Sequence, residues 1–64
     1  MEYIIETSQG FVQTVRLVGG ELNDVTAYTN DRNSARRFTK KQLTKMCVRS
    51  FFRYYSMAIV IIEL

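Results

Sequence analysis

The chain contains no histidine and only one cysteine, Cys47. Histidine is the side chain that most often performs general acid–base catalysis, and it is also an ordinary zinc ligand. A single cysteine excludes an internal disulfide. We therefore predict that the protein is not an enzyme and that it holds no metal and no cofactor.

Long apolar segments are also lacking. The longest unbroken apolar run, from Met57 to Ile62, has six residues, whereas a membrane span needs about 20. Met1 is followed by Glu2 instead of a basic region and an apolar stretch, so we predict no signal peptide. A lone free thiol is typical of a reducing compartment. These features predict a soluble cytoplasmic protein without a membrane segment.

The small size of the chain limits its stability. We predict a single domain over residues 1–64. A domain of this size buries about 60% of the surface that its unfolded chain exposes, so it usually needs extra support. Because a disulfide and a metal are excluded, that support must come from a well-packed core or from self-association. The apolar content of 47% is sufficient for a folded domain.

The first half of the chain is rich in β-branched and aromatic residues, which are typical of strands. Its predicted strands cover residues 2–6, 11–18 and 25–29. The turn formers of residues 7–10 join the first two strands into a hairpin, and residues 19–24 are predicted as a loop. Strict alternation along the second strand places Phe11, Val15 and Leu17 on one face.

A short helical turn is predicted from Asp31 to Phe38, between the third strand and the main helix. Asp31 can accept hydrogen bonds from the free amides at a helix start. Asn33 and Ser34 are poor helix formers, so we expect the helical segment to be brief. Within it, Ala35 and Phe38 are three residues apart and are predicted to face inward.

One main helix is predicted to begin after Thr39. Thr39 and Gln42 have the spacing of a T-x-x-Q capping box, so the predicted helix runs from Lys40 to about Phe52. Helical spacing places five side chains toward the sheet: Leu43, Met46, Cys47, Ser50 and Phe51. For Cys47 we predict core packing, and the alternative is a reactive thiol.

The last segment, Ser56 to Leu64, is apolar on both faces, a pattern typical of an interior strand. The predicted fold class is therefore α+β: a small antiparallel sheet in β-β-β-α-β order with one main helix packed on one face. Because one helix covers only one face, we predict a homodimer through the apolar C-terminal strand. The alternative is that the four tyrosines of the chain shield the open face.

Acids are absent from the segment Arg32–Arg53, although it carries eight of the nine bases in the chain. These bases are Arg32, Arg36, Arg37, Lys40, Lys41, Lys45, Arg49 and Arg53. The net charge of +3 thus combines +8 in this segment with −5 in the remainder. On a continuous helix, the residues spaced by four would form one stripe: Lys41, Lys45, Arg49 and Arg53.

Like charges at this spacing repel one another, so something must offset the repulsion. Acids on the strands could do so, such as Glu2, Glu6 or Glu63. The phosphates of a nucleic acid are a second possibility, and an acidic protein surface is a third. Aromatic and arginine side chains often anchor interfaces. The predicted partner-binding residues are Arg36, Arg37, Lys41, Lys45, Arg49, Phe52, Arg53, Tyr54 and Tyr55.

Three motifs follow one another in the first two-thirds of the chain: Tyr3-Ile4-Ile5, Gly10-Phe11-Val12, and a T-x-D-x-x-x-A-x-x-F stretch from Thr29 to Phe38. Their order resembles short proteins encoded by phages and prophages of Gram-positive bacteria. The resemblance implies a non-enzymatic accessory in the host cytoplasm that binds a host enzyme, a defence component or nucleic acid. It assigns no functional residue.

The sequence therefore predicts a small interaction protein. Its basic helical face would bind and block, or modulate, a host or defence macromolecule by occupying its surface. The alternative is a nucleic-acid-binding regulator that places the same helix against phosphates.

Overall fold

A computed structural model describes all residues from 1 to 64 and confirms the α+β class. Its strands are β1 (Tyr3–Thr7), β2 (Gly10–Val18), β3 (Glu21–Thr29) and β4 (Ile59–Glu63). Between β3 and β4 lie a 3₁₀ turn (Arg32–Ser34) and the helices α1 (Lys40–Lys45) and α2 (Val48–Tyr54). The strands form one antiparallel sheet in the order β3-β2-β1-β4. None of the helices has the length and apolar character that a membrane crossing needs.

The predicted hairpin between β1 and β2 is confirmed, and Thr7 closes its turn. The Thr7 hydroxyl donates to the Gly10 carbonyl at 2.9 Å and accepts from the Gln9 amide at 3.0 Å. Gly10 has a φ of 115°, which side-chain-bearing residues rarely adopt. A Cβ atom at this position would lie 2.8 Å from the carbonyl oxygen of Thr29. Glycine is therefore needed where β3 ends beside the first turn.

Replacing Gly10 by alanine is expected to lower the free energy of unfolding by about 2 kcal/mol, because it adds backbone strain and a clash with Thr29. Gly19→Ala is the matched control. Gly19 also has a positive φ, but an added Cβ would meet nothing within 4 Å, so we expect a loss of about 1 kcal/mol. Urea denaturation of both variants gives the comparison. Equal losses would show that the close approach to Thr29 is absent.

The predicted loop over residues 19–24 is wrong beyond Gly20. Gly19 and Gly20 both have positive φ values, 59° and 81°, as a two-residue type I′ hairpin turn requires. Val18 therefore pairs directly with Glu21, where β3 begins. Two glycines are sufficient to reverse the chain, and the polar residues after them belong to a strand.

The predicted alternation along β2 is also wrong. The pairing of β2 with β3 shifts by one residue between Val12 and Thr14, and an extra residue in one strand reverses the facing of the residues that follow it. Val12 and Val15, three apart, therefore both contact the core. Leu17, which was predicted to share one face with Phe11 and Val15, follows a further register shift after Arg16 and is exposed.

A short helical turn after β3 is confirmed, but its predicted extent from Asp31 to Phe38 is wrong, because the turn covers only Arg32–Ser34 and Phe38 forms a β-bridge with Tyr3. Asp31 accepts a hydrogen bond from the Asn33 amide at 2.9 Å, and Ala35 and Phe38 are buried. The segment after this turn is tied to β1, because Tyr3 and Phe38 each donate an amide hydrogen bond to the carbonyl of the other. The Arg36 amide also donates to the carbonyl of Val12 in β2 at 2.9 Å. These bonds fix the backbone that carries the first bases of the basic segment.

The Thr39–Gln42 capping box is confirmed, but the continuous helix from Lys40 to Phe52 is wrong. The Gln42 amide donates to the Thr39 hydroxyl at 3.1 Å, and the Thr39 amide donates to the Gln42 side chain at 2.8 Å. Helix α1 nevertheless ends at Lys45, and α2 begins at Val48. Between them, Cys47 adopts a left-handed conformation with a φ of 55° and a ψ of 43°.

A tertiary hydrogen bond explains this break. The Leu22 amide at the start of β3 donates to the Met46 carbonyl at 2.9 Å. In a continuous helix, this carbonyl would accept from the amide four residues later. The break rotates α2, so its buried residues are Val48 and Phe52. The inward packing predicted for Cys47 and Ser50 is therefore wrong: both are exposed.

The left-handed conformation of Cys47 can be tested by substitution. We expect Cys47→Gly to keep the stability or to raise it by up to about 1 kcal/mol, because glycine adopts this conformation without strain. Cys47→Val is expected to lower it by about 1–2 kcal/mol, because a β-branched residue is strained there. The helical control Ser50→Gly should lose about 0.5 kcal/mol. Chemical denaturation that ranks Cys47→Gly below Ser50→Gly would indicate a continuous helix.

The core lies between the sheet and the two helices. Seven buried side chains form one cluster, and Ile4 and Ala35 are buried outside it; the cluster consists of Ile5, Val12, Leu22, Phe38, Met46, Val48 and Phe52. Leu43 and Phe51 are partly buried against it, as predicted, and so are Met57, Ile59 and Ile61. Burial of these side chains supplies the main stabilising free energy of the domain.

Strand β4 is not the interior strand that its apolar pattern predicted. It pairs only with β1, from Tyr3 opposite Glu63 to Thr7 opposite Ile59, and forms one edge of the sheet. Val60 points away from the core and is 57% exposed. The pattern misled because an edge strand with an uncovered outer face has the same two-sided apolar sequence as an interior strand.

Candidate partner-binding surface

All eight bases of the segment Arg32–Arg53 are exposed. Arg32, Arg36 and Arg37 lie in the 3₁₀ turn and the segment after it, which hydrogen bonds hold against β1 and β2. The other bases lie on the helices, with Lys40, Lys41 and Lys45 on α1 and Arg49 and Arg53 on α2. Two helices and a segment hydrogen-bonded to the sheet therefore carry the bases.

Strand acids neutralise little of this charge. Arg37 forms an ion pair with Glu2 at 3.2 Å, and it is the only base of the segment with a carboxylate within 4.0 Å. The other ion pair of the chain, Arg16 with Asp24, lies in the β2–β3 hairpin. The bases without a carboxylate partner are Arg32, Arg36, Lys40, Lys41, Lys45, Arg49 and Arg53. We call these seven residues the basic surface.

The single stripe predicted for Lys41, Lys45, Arg49 and Arg53 does not form, because the helix that would carry it is broken at Cys47. Lys41 and Lys45 belong to α1, whereas Arg49 and Arg53 belong to α2. The basic surface therefore consists of groups on successive elements instead of one line along a helix.

The prediction that Phe52 is an exposed anchor is wrong. Phe52 is 1% exposed and belongs to the core, because the break turns it inward with Val48. Tyr54 and Tyr55 are 81% and 57% exposed, as an anchoring role requires. The centroids of their rings lie 5.0 Å apart, and the ring centroid of Tyr55 also lies 5.0 Å from that of Phe51. The aromatic cluster thus extends from the core to the surface at the end of α2.

A groove of about 410 Å³ lies between the two helices and the strands β1 and β4. Its apolar lining includes Leu43, Val48 and Ile61, and the exposed bases Lys40 and Arg49 also line it. No acid is among its lining residues. We call this the helix-break groove, because Cys47, the residue at the break, contributes to its wall.

A second depression lies between α2 and the chain that leads into β4. Arg49 and Arg53 line it together with apolar residues such as Met57 and Ile59. Arg49 lines both depressions and therefore stands between them. Each of the two depressions is therefore lined by both apolar residues and bases.

The predicted partner-binding residues include five of the seven bases of the basic surface, but not most of the residues that form its hollows. Tyr3, Lys40 and Ile61 line the helix-break groove, although none was predicted to bind a partner. They come from three separate elements, so no local pattern could group them. The position of the break depends on the hydrogen bond from Leu22 to Met46, which has no signal near Cys47.

Binding is the chemistry that this arrangement supports. No group of three or more histidine, cysteine, aspartate and glutamate side chains is placed to hold a metal ion. Burial, and secondarily the charge of Asp24, raise the pKa of Tyr28 above its usual value. Tyr28 lies on β3 and lines neither depression. The exposed bases can attract anions, and the apolar linings can receive apolar side chains.

Comparisons with protein families, with curated proteins and with solved structures found no match to this chain. The resemblance to short phage and prophage proteins stays a prediction.

Proposed function

We propose that this chain is a small non-enzymatic interaction protein that binds an acidic protein and blocks or modulates it by occupying its surface. The observation that carries the proposal is the basic surface itself. Its seven exposed bases have no carboxylate partner within the chain. An acidic partner would supply the missing counter-charges and relieve their mutual repulsion.

The mechanism requires docking alone. Complementary charge speeds and orients the encounter of two proteins, whereas buried aromatic and arginine anchors supply most of the affinity. Tyr54 and Tyr55 are exposed beside Arg53 and can act as such anchors. The resemblance to phage proteins supports a host or defence protein as the target, met in the host cytoplasm.

Apolar hollows beside the bases favour a protein partner. Protein side chains fill such pockets at interface centres, whereas nonspecific nucleic-acid binding depends mainly on phosphate charge. A nucleic-acid-binding regulator is the second candidate, supported by the exposed rings of Tyr54 and Tyr55 next to Arg53. Nucleobases stack on such rings, and arginine adds contacts to phosphates.

Titrations with three fluorescent probes separate the two functions. The probes are poly-L-glutamate, single-stranded DNA and double-stranded DNA. Each probe is measured at about 50 mM and about 200 mM salt, a range over which phosphate binding weakens steeply. Preferential binding of poly-L-glutamate supports the acidic-protein function. Preferential binding of DNA with a steep salt dependence supports the regulator. No binding of any probe at low salt contradicts both.

We further propose that the chain forms a homodimer through β4. The outer edge of β4 has no strand partner, and Glu63 is the only charged residue of this strand. The other edge strand, β3, carries acids and an irregular pairing register, both of which discourage edge-to-edge association. Antiparallel pairing of two β4 strands about a two-fold axis would also bring the exposed apolar side chains of both copies together.

Val60→Lys is expected to convert the dimer into a monomer, because an edge lysine opposes strand pairing and would place a charge in the apolar contact. Light scattering should give the mass of two chains for the parent protein and of one chain for the variant. Thr26 is an exposed residue on β3, so the Thr26→Lys variant is the control and should remain dimeric. A parent mass of one chain at high concentration would contradict the dimer.

A further inference from the structure

We infer that the helix-break groove is the docking site for one apolar side chain of an acidic peptide segment on the partner. The inference rests on the proposed function and names the feature of the partner that the basic surface recognises. It assigns the groove a specific occupant: a leucine-like side chain with carboxylates on either side of it.

The lining of the groove fits such a side chain. Leu43 and Ile61 are only partly buried, and Val48 lies beneath the surface. Leu43 and Ile61 present apolar surface that the chain itself leaves uncovered, whereas Val48 is 1% exposed and contributes almost none. An aliphatic side chain that enters the groove would remove this surface from water, which is the main source of affinity in apolar pockets.

The charges around the groove fit the flanking carboxylates. Lys40 on α1 and Arg49 on α2 both line the groove and have no carboxylate within 4.0 Å. The lining contains no acid that would repel an acidic segment. Ser50 also lines the groove, and its hydroxyl can donate a hydrogen bond to a carboxylate or carbonyl oxygen, whereas the Thr44 hydroxyl already donates to the Lys40 carbonyl at 3.2 Å.

The helix break creates this arrangement. In a continuous helix, the predicted inward residues Cys47 and Ser50 would face the sheet. In the structure, both are exposed and line the groove instead. The left-handed conformation at Cys47 therefore has a consequence for binding as well as for packing.

Two labelled peptides test the inference by fluorescence anisotropy. The first has a leucine between two pairs of glutamates, and the second has alanine in place of the leucine. We expect the leucine peptide to bind about tenfold more tightly, because its larger side chain buries more apolar surface in the groove. The peptides have equal charge, so the difference reports on the groove and not on the basic surface.

Filling the groove should abolish this difference. Ser50→Trp places a large side chain at the groove wall without changing the net charge, and the affinities of the two peptides should become equal within about twofold. Thr26→Trp, at an exposed position of β3 outside the groove, should keep the full preference. Circular dichroism confirms that each variant is folded.

The single thiol gives a second readout that needs no substitution. Cys47 is exposed within the groove and is the only cysteine of the chain. At equal saturation, the leucine peptide should slow the reaction of this thiol with a disulfide reagent severalfold more than the alanine peptide does.

The outcomes separate this inference from the proposed function. A leucine preference that Ser50→Trp removes, with protection of Cys47, supports both. Equal binding of the two peptides to the parent protein, without added protection of Cys47, overturns the groove assignment and leaves the acidic-partner function standing. If neither peptide binds at low salt, both proposals are overturned.

Discussion

Replacing Lys41, Lys45 and Arg49 together by glutamate is expected to weaken the binding of poly-L-glutamate by roughly 100-fold. Each exposed ion pair contributes about twofold to threefold in affinity, and the repulsion that replaces it removes a similar factor. These three residues have no carboxylate partner in the chain, so their replacement breaks no internal ion pair. Anisotropy titrations at low salt measure the change.

Two single variants, which change the net charge equally, test whether the loss of binding depends on position or only on net charge. Lys45→Glu is expected to weaken binding by about fivefold, whereas Arg16→Glu should change it by less than about twofold. Arg16 is already paired with Asp24 and lies in the β2–β3 hairpin, apart from the basic surface. If Arg16→Glu weakens binding as much as Lys45→Glu does, the interaction follows net charge and has no defined surface.

Replacing Phe52 by alanine is expected to lower the free energy of unfolding by about 4 kcal/mol, because a large buried side chain leaves a cavity in the core. Phe52 contacts the core cluster and stacks edge-to-face on Phe51 at 5.1 Å. A domain of 64 residues has a total stability of roughly 3–10 kcal/mol, so the variant should be largely unfolded in mild denaturant. Urea denaturation monitored by circular dichroism measures this loss.

Tyr54→Ala is the matched control for Phe52→Ala. It removes an aromatic side chain from the same helix, but Tyr54 is 81% exposed, so we expect a change within about 0.5 kcal/mol. The same substitution should weaken partner binding if Tyr54 is an anchor. A large loss of stability in Tyr54→Ala, with little loss in Phe52→Ala, would mean that α2 has the orientation of a continuous helix.

The sequence predicts the parts of this fold that depend on local chemistry. Asp31 caps the short turn, and Thr39 with Gln42 forms the capping box, because the side chain and the amide it accepts from are only two or three residues apart. Strand composition likewise predicted the four strands and the class of the fold. These signals lie within a few residues of the structure that they specify.

The features that were missed depend on distant parts of the chain. The helix ends at Lys45 because Met46 accepts a hydrogen bond from Leu22, twenty-four residues earlier in the chain. The shifted register of β2 brings Val12 and Val15 to one face through pairing with β3, which alternation within a single strand cannot predict. An apolar strand also does not specify whether it lies at the centre or at the edge of a sheet.

The candidate site also has features that the sequence predicts and features that it does not. Composition alone separates the basic segment from the acidic remainder, and exposure of all eight bases follows from the high cost of burying unpaired charge. The groove could not be predicted, because residues of four elements and of the break between the helices line it. Phe52 was misplaced for a related reason, since its orientation depends on where α2 begins.

The central claim is that the basic surface binds an acidic partner as an oriented unit. Titration of the ¹⁵N-labelled chain with poly-L-glutamate at low salt, followed by amide chemical shifts, tests it most directly. We expect saturable shifts concentrated between Arg36 and Tyr54, with little change in the β2–β3 hairpin. Shifts spread evenly over the chain, or none at all, would contradict it.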